Sequence, residues 1–391
     1  MTALRSRLSR ALLVFLGTLL GVGLAELAVR AVAPREERAR QNTVFHPSYG
    51  TVRRDSWVFG LAIEPDADTA TVREQRVLRE PDPATPRVLF IGDSGTEGVR
   101  LGPDATYPAL FADLLEEEQG HRVEAINAGV FGMTTVDELH FLESELLLLR
   151  PDVVVLGVFL ANDINFNLGQ AFRVENPTAD RGTVSWLADH SALVRVLFYR
   201  AADRGSFFEG GPHTPIDWAP ELQLIDDRGL PLLSYPAGET ATYLREPTDL
   251  VDEAFELFHI LLERFRALGE AHRFVPAVLL IPTPSTVAGR LTLLHYPDAY
   301  GELHRIGARV EPRDLDFGAP TRRVHAICED LELTLIDPTD RFRSRGMEAF
   351  FPDDEHPTAV GHALLARTLV DQWSQVRELV APLPEGVDKR R

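Results

Sequence analysis

Four short motifs carry side chains suited to acyl chemistry. Gly92-Asp93-Ser94 closes an apolar run, Val88-Leu89-Phe90-Ile91. Asn127-Ala128-Gly129-Val130-Phe131-Gly132 follows a second run, Ala161-Asn162-Asp163 follows a third, and Asp353-Asp354-Glu355-His356 lies far downstream. A serine hydroxyl is a weak nucleophile and needs an adjacent base. His356 can accept the proton of Ser94 and later return it to a leaving group. Asp353, three residues before it, can fix the imidazole tautomer and steady the imidazolium. The tetrahedral intermediate carries an oxyanion. The amides of Ser94 and Gly132 and the side-chain amide of Asn162 can supply three donors, each typically worth about 3 kcal/mol of transition-state stabilisation. Glycine at 132 permits close backbone approach. Gly129 is a rival for the same part.

Such residues need a scaffold that brings distant segments to one edge. From Arg87 onward short apolar runs alternate with helical stretches, the pattern of a parallel sheet wrapped by helices. Strands are expected at 88–91, 123–126, 153–159, 274–281 and 333–336. Helices are expected at 107–118, 136–149 and 320–331, and after His356. In a further helix from Asp249, Val251, Ala254, Phe255, Phe258, Leu261, Leu262 and Phe265 form one stripe, with Gly269 as its terminator. Open parallel sheets bind ligands beyond the carboxyl ends of their strands. Three of the four motifs sit at strand ends, and the fourth precedes the last helix.

The four motifs, in this order, resemble the blocks of the SGNH (GDSL-type) hydrolases over about residues 86–376. The resemblance implies a three-layer α/β/α sandwich of flavodoxin-like type with a five-stranded parallel sheet. It also implies Ser94 as nucleophile, Gly132 and Asn162 as oxyanion donors beside the Ser94 amide, and Asp353 with His356 completing the triad. Gly95 departs from the bulkier apolar residue of many members, and Ala161 from the glycine often found before Asn-Asp. Neither change removes a catalytic group, though both bear on pocket shape.

Other candidates have blander readings. Asp137 to His140 repeats the DxxH spacing inside an expected amphipathic helix, where these are surface and groove residues. His362 lies on the apolar stripe of the last helix and is expected to pack. Asp93 and Asp163 are expected to brace loops, and Cys328 to belong to the core. Trp186, Phe207, Phe208 and Trp218 either line a pocket or pack an insertion down. There is no HExxH cluster, GxGxxG or P-loop, so no metal or cofactor is expected. A formal charge of −19 argues against a broad basic face for nucleic acid. One cysteine excludes an internal disulfide.

The organisation that follows is an N-terminal hydrophobic helix at 1–33, acting as membrane anchor or signal segment, and a linker and peripheral flap at 34–86. A hydrolase domain at 87–377 carries insertions at 164–248 and 286–318, and a polar tail occupies 378–391. Arg5, Arg7 and Arg10 precede the apolar run from Ala11 to Ala25, so the rest is expected outside the cytoplasm, tethered or, after cleavage, secreted. The expected function is hydrolysis of a small-molecule, lipid or glycan ester. Acyl transfer to an envelope polysaccharide by the same triad is an alternative, and a non-catalytic binding protein on this fold is a second. The sequence sets no oligomeric state.

Overall fold

The fold is that of a computed structural model of the 391-residue chain. It describes residues 80–165, 167, 235–292, 312–352 and 354–379, together with 17–18, 20–28, 43–46, 50–53, 56–61, 69–73 and 75–78.

Five parallel strands form the central sheet in the order β6-β5-β7-β8-β9. They are β5 (Arg87–Gly92), β6 (Glu124–Asn127), β7 (Val153–Phe159), β8 (Val275–Ile281) and β9 (Thr334–Ile336). β5 and β7 are buried along their whole length. That is why both appear in the sequence as unbroken apolar runs. Strand alternation divides their side chains between two cores. Val88, Phe90 and Val155 join Tyr107, Phe111, Leu365 and Leu369 on one face. Leu89, Ile91, Val154 and Leu156 join Leu139, Leu142, Phe258, Leu261 and Val324 on the other.

The α-helices around the sheet are α1 (Ser94–Glu97), α2 (Tyr107–Gln119), α3 (Thr135–Ser144), α4 (Tyr235–Thr242), α5 (Asp249–His272), α6 (Pro284–Ala288), α7 (Ala319–Asp330), α8 (Thr339–Arg345) and α9 (Ala359–Leu379). α2 and α9 pack together over one face, and α3, α5 and α7 cover the other. The result is the expected three-layer α/β/α arrangement.

Two details differ from the sequence reading. Gly269 does not end its helix: α5 runs on to His272 and stops at Arg273, whose backbone is left-handed at φ 61°. A side chain at 269 would lie 2.9 Å from Pro276 Cδ, so this glycine serves the close approach of α5 to β8. The segment 34–86, expected as a linker and flap, contains ordered pairs. β1 (Thr43–His46) pairs with β2 (Gly50–Arg53), and β3 (Thr69–Val72) pairs antiparallel with β4 (Gln75–Leu78). Val58, Ala70, Val72 and Val77 are buried in the same core as α3 and α5. At the start of the chain most of residues 1–33 lie outside the described residues. Residues 20–28 are helical with Leu20, Val22, Leu24 and Leu27 exposed, and no helix among the described residues is long and apolar enough to cross a membrane. The aromatics Trp186, Phe207, Phe208 and Trp218 lie outside the described residues.

Candidate active site

β5 runs directly into α1, and Asp93 caps that helix by accepting the Gly95 amide at 2.8 Å. This places Ser94 at the first helical position, 6% exposed, at the carboxyl end of the sheet. Ser94 Oγ lies 2.7 Å from His356 Nε2. His356 stands in the loop before α9, with its ring inclined by 27° to Phe131 and by 26° to Phe159.

His356 Nδ1 meets Asp354 Oδ1 at 2.5 Å. Asp353, the acid expected from the DxxH spacing, lies outside the described residues. Nδ1 carries one proton and forms one such bond, and in this structure Asp354 occupies it. The local reason is a turn: Asp354 Oδ1 also accepts the His356 amide at 3.3 Å, while the Asp354 amide donates to Phe351 O at 3.2 Å. Burial alone would raise the Asp354 carboxyl, but the hydrogen bond and charge of His356 outweigh it and hold the carboxyl below its ordinary value of 3.8. Arg100 Nη1 lies 3.7 Å from Asp354 Oδ2, with its guanidinium over the Phe351 ring.

The oxyanion candidates are arranged around the same serine. Asn162 Nδ2 donates to Asp93 Oδ2 at 2.8 Å, which leaves its second N–H free to donate elsewhere. Asp93 Oδ2 also lies 3.4 Å from Ser94 Oγ. Asp93 therefore ties the nucleophile turn to the Asn162 loop. Burial raises its carboxyl above the usual range, against the opposing pull of the Gly95 amide, His356 and Asn162. In the glycine block the Val130 amide donates to Gly92 O at 2.9 Å, the Gly129 amide to Asn127 Oδ1 at 3.0 Å, and the Phe131 amide to Glu97 Oε2 at 2.6 Å. Gly132 has φ 86°, a conformation that glycine adopts without strain. Among the described residues the Ser94 and Gly132 amides have no acceptor. Gly129, the rival donor, has its amide already engaged.

The remaining candidates fall as the sequence suggested, with one exception. His362 is 1% exposed; its Nδ1 accepts the Tyr107 amide at 3.0 Å, and burial lowers its pKa to about 3. Asp163 braces its own loop by accepting the Phe159 amide at 2.7 Å. Cys328 is buried, its thiol pushed up to about 12 by burial. The exception is Asp137, expected at the surface. It is buried at the start of α3, where it accepts the Thr134 amide in a capping box. Beside it, Glu138 is 1% exposed and both its carboxyl oxygens lack partners. Burial, aided by the nearby Asp163, Asp93 and Asp137, pushes Glu138 well above the ordinary glutamate range.

Sequence reasoning missed two residues, Asp354 and Glu97. The string of acids before His356 held the first as an alternative. Glu97, four residues after Asp93 at the start of its turn, carries no signal that it reaches across to the Phe131 amide.

A parallel α/β sheet with a serine–histidine–carboxylate relay at its carboxyl edge has the layout of a serine hydrolase. Residues 90–240 match the model of the GDSL-like lipase/acylhydrolase family, and that match supports an ester-bond hydrolase. The matched segment includes Ser94, Gly132 and Asn162. Among solved structures, the acetylxylan esterase Axe2 from Geobacillus stearothermophilus is 16% identical, with 79% of this chain and 99% of that chain covered at a TM-score of 0.36. The lipase/acylhydrolase from Enterococcus faecalis is 17% identical, with 78% and 100% covered at 0.37. Likeness at this level does not speak to substrate. No curated protein matches the chain.

Proposed function

We propose that the chain is a serine esterase that cleaves carboxylic esters through Ser94, His356 and Asp354. The observation that carries the reading is the continuous relay from Ser94 Oγ through His356 to Asp354. Ser94 Oγ attacks the ester carbonyl while His356 Nε2 takes its proton. Asp354 holds the proton on Nδ1, so that Nε2 is the free base, and steadies the imidazolium. The amides of Ser94 and Gly132 and the second Asn162 N–H receive the oxyanion. His356 then protonates the departing alcohol. Water, deprotonated by the same nitrogen, releases the acid from the acyl-enzyme.

The substrate class is a small-molecule, lipid or glycan ester. The family name supports the acyl chemistry. The site is extracytoplasmic, tethered or released at the N-terminus. The support is Arg5, Arg7 and Arg10 ahead of the apolar run from Ala11 to Ala25.

Labelling of the full chain with a fluorophosphonate tests the reading. Wild type should label, and Ser94→Ala and His356→Ala should not. A folded wild type that neither labels nor turns over short acyl esters would overturn the proposal and leave a binding protein on a hydrolase fold. Product analysis with and without a glycan acceptor separates hydrolysis from acyl transfer: free acid in both cases supports hydrolysis.

A further inference from the structure

β6 is an edge strand of the sheet. Its inner side pairs with β5, and the ladder continues past the strand into the glycine block: the Ala128 amide donates to Phe90 O at 2.8 Å and the Val130 amide to Gly92 O at 2.9 Å. In an extended chain alternate residues face opposite ways in the sheet plane, so the odd-numbered residues of this stretch turn their backbone groups outward. An edge with bare carbonyls needs covering. Two of these carbonyls are met by side chains from the segment before the family-matched region. Gln75 Nε2 donates to Ala125 O at 3.2 Å, and Trp57 Nε1 donates to Gly129 O at 3.0 Å.

Trp57 is itself held in place. It opens a short 3-10 turn, Trp57–Gly60, capped by Ser56. Val58 behind it is buried, and the indole lies 6.0 Å from the Phe141 ring. On its other side Gly129 presses against the nucleophile turn, where an added Cβ would lie 2.3 Å from Glu97 N and 2.6 Å from Thr96 C. The glycine block is thus clamped between the Ser94 turn and the indole of Trp57.

We propose that Trp57 is a positioning residue for the oxyanion site. Its indole N–H fixes the Gly129 carbonyl, and with Glu97 on the Phe131 amide it sets the direction of the Gly132 amide. The inference rests on the esterase reading, in which Gly132 receives the oxyanion. Trp57 acts through the loop and touches no reacting atom.

The test uses the full chain and a short acyl ester of p-nitrophenol. Turnover is normalised to the protein titrated at Ser94 by a fluorophosphonate, so unfolded molecules are not counted. Trp57→Phe keeps an aromatic ring against Phe141 and removes the donor. It should lower kcat about tenfold with KM within about twofold, and slow labelling in the same proportion, because a donor displaced by a fraction of an ångström loses most of its transition-state contribution. Gln75→Ala, on the same edge but away from the glycine block, should leave kcat unchanged. If Trp57→Phe fails to fold, 3-benzothienylalanine at 57 preserves the bicyclic shape without the N–H and should show the same kcat loss. A Trp57→Phe or benzothienyl protein with wild-type kcat overturns the inference alone. So does a Gln75→Ala protein impaired as much as Trp57→Phe, since that would mean general loosening of the edge. A wild type without Ser94-dependent labelling overturns the esterase reading, and this inference with it.

Discussion

His356 and His362 flank the start of α9, and their fates are opposite. His356 sits in the loop between a hydroxyl and a carboxylate, Ser94 at 2.7 Å and Asp354 at 2.5 Å. His362 is sealed between α9 and α2, where its Nδ1 accepts the Tyr107 amide and its ring stacks on the Tyr107 ring at 5.8 Å. A backbone N–H as partner demands a lone pair on the imidazole and forbids a proton there. Burial adds a desolvation cost to the charged form, and the pKa falls to about 3. At His356 the Asp354 carboxylate instead meets Nδ1 and leaves Nε2 facing the Ser94 hydroxyl. Partner and solvent access, not residue type, decide which histidine is a base and which is a fixed acceptor.

Replacing the two histidines tests this contrast most strongly. His356→Gln should lower kcat by about five orders of magnitude, the scale of losing the base from a serine triad, while thermal stability stays near wild type. A loss below about a hundredfold in steady-state hydrolysis would place the base elsewhere. Next in size is the acid. Asp354→Asn should lower kcat by about 10³- to 10⁴-fold by fixing the wrong tautomer, whereas Asp353→Asn should change it by less than about threefold. Reversal of the two effects in the same assay would return the triad acid to the position that the DxxH spacing indicated. His362→Ala should have the smallest effect on chemistry, with kcat per folded molecule within about threefold. Its cost falls on stability instead, about 3 kcal/mol at pH 7 for the lost packing and hydrogen bond.

The pH dependence sharpens that last case. The folded pKa of His362 lies below the unfolded value of 6.5. Between pH 6.5 and about 3 the unfolded chain binds a proton that the folded chain refuses. The contribution of neutral His362 is therefore complete above pH 6.5 and falls by about 1.4 kcal/mol for each pH unit below it. Urea unfolding curves at pH 7 and pH 5 should show the gap between wild type and His362→Ala narrowing at the lower pH. A constant gap would mean that His362 titrates normally.

Much of the scaffold was legible in the sequence because its signals are local. The strand expected at 153–159 is β7 residue for residue, and the helix expected at 107–118 differs from α2 only at its end. An apolar run buried on both faces, or a stripe on one helical face, is written in consecutive residues. What failed was whatever depended on a distant partner. Gly269 carries the local mark of a helix end, but Pro276 and the Phe274 carbonyl give it another use. The segment 34–86 shows no clear period, yet Val58, Ala70, Val72 and Val77 are buried there because α3 and α5 supply the other half of the core.

The sequence by itself determined the order of strands and helices, and it pointed to Ser94, His356 and the segments that bear the candidate oxyanion donors. Each follows from a motif placed at the end of a recognisable strand or before a recognisable helix. Only the tertiary structure decided that Asp354 meets His356 Nδ1, that Glu97 and Trp57 hold opposite sides of the glycine block, and that His362 is kept neutral. Those outcomes depend on a single bond direction or a contact between residues far apart in the chain. Residue type and spacing limit the possible partners, and the packed fold selects the one whose donor or acceptor lies within about 3 Å.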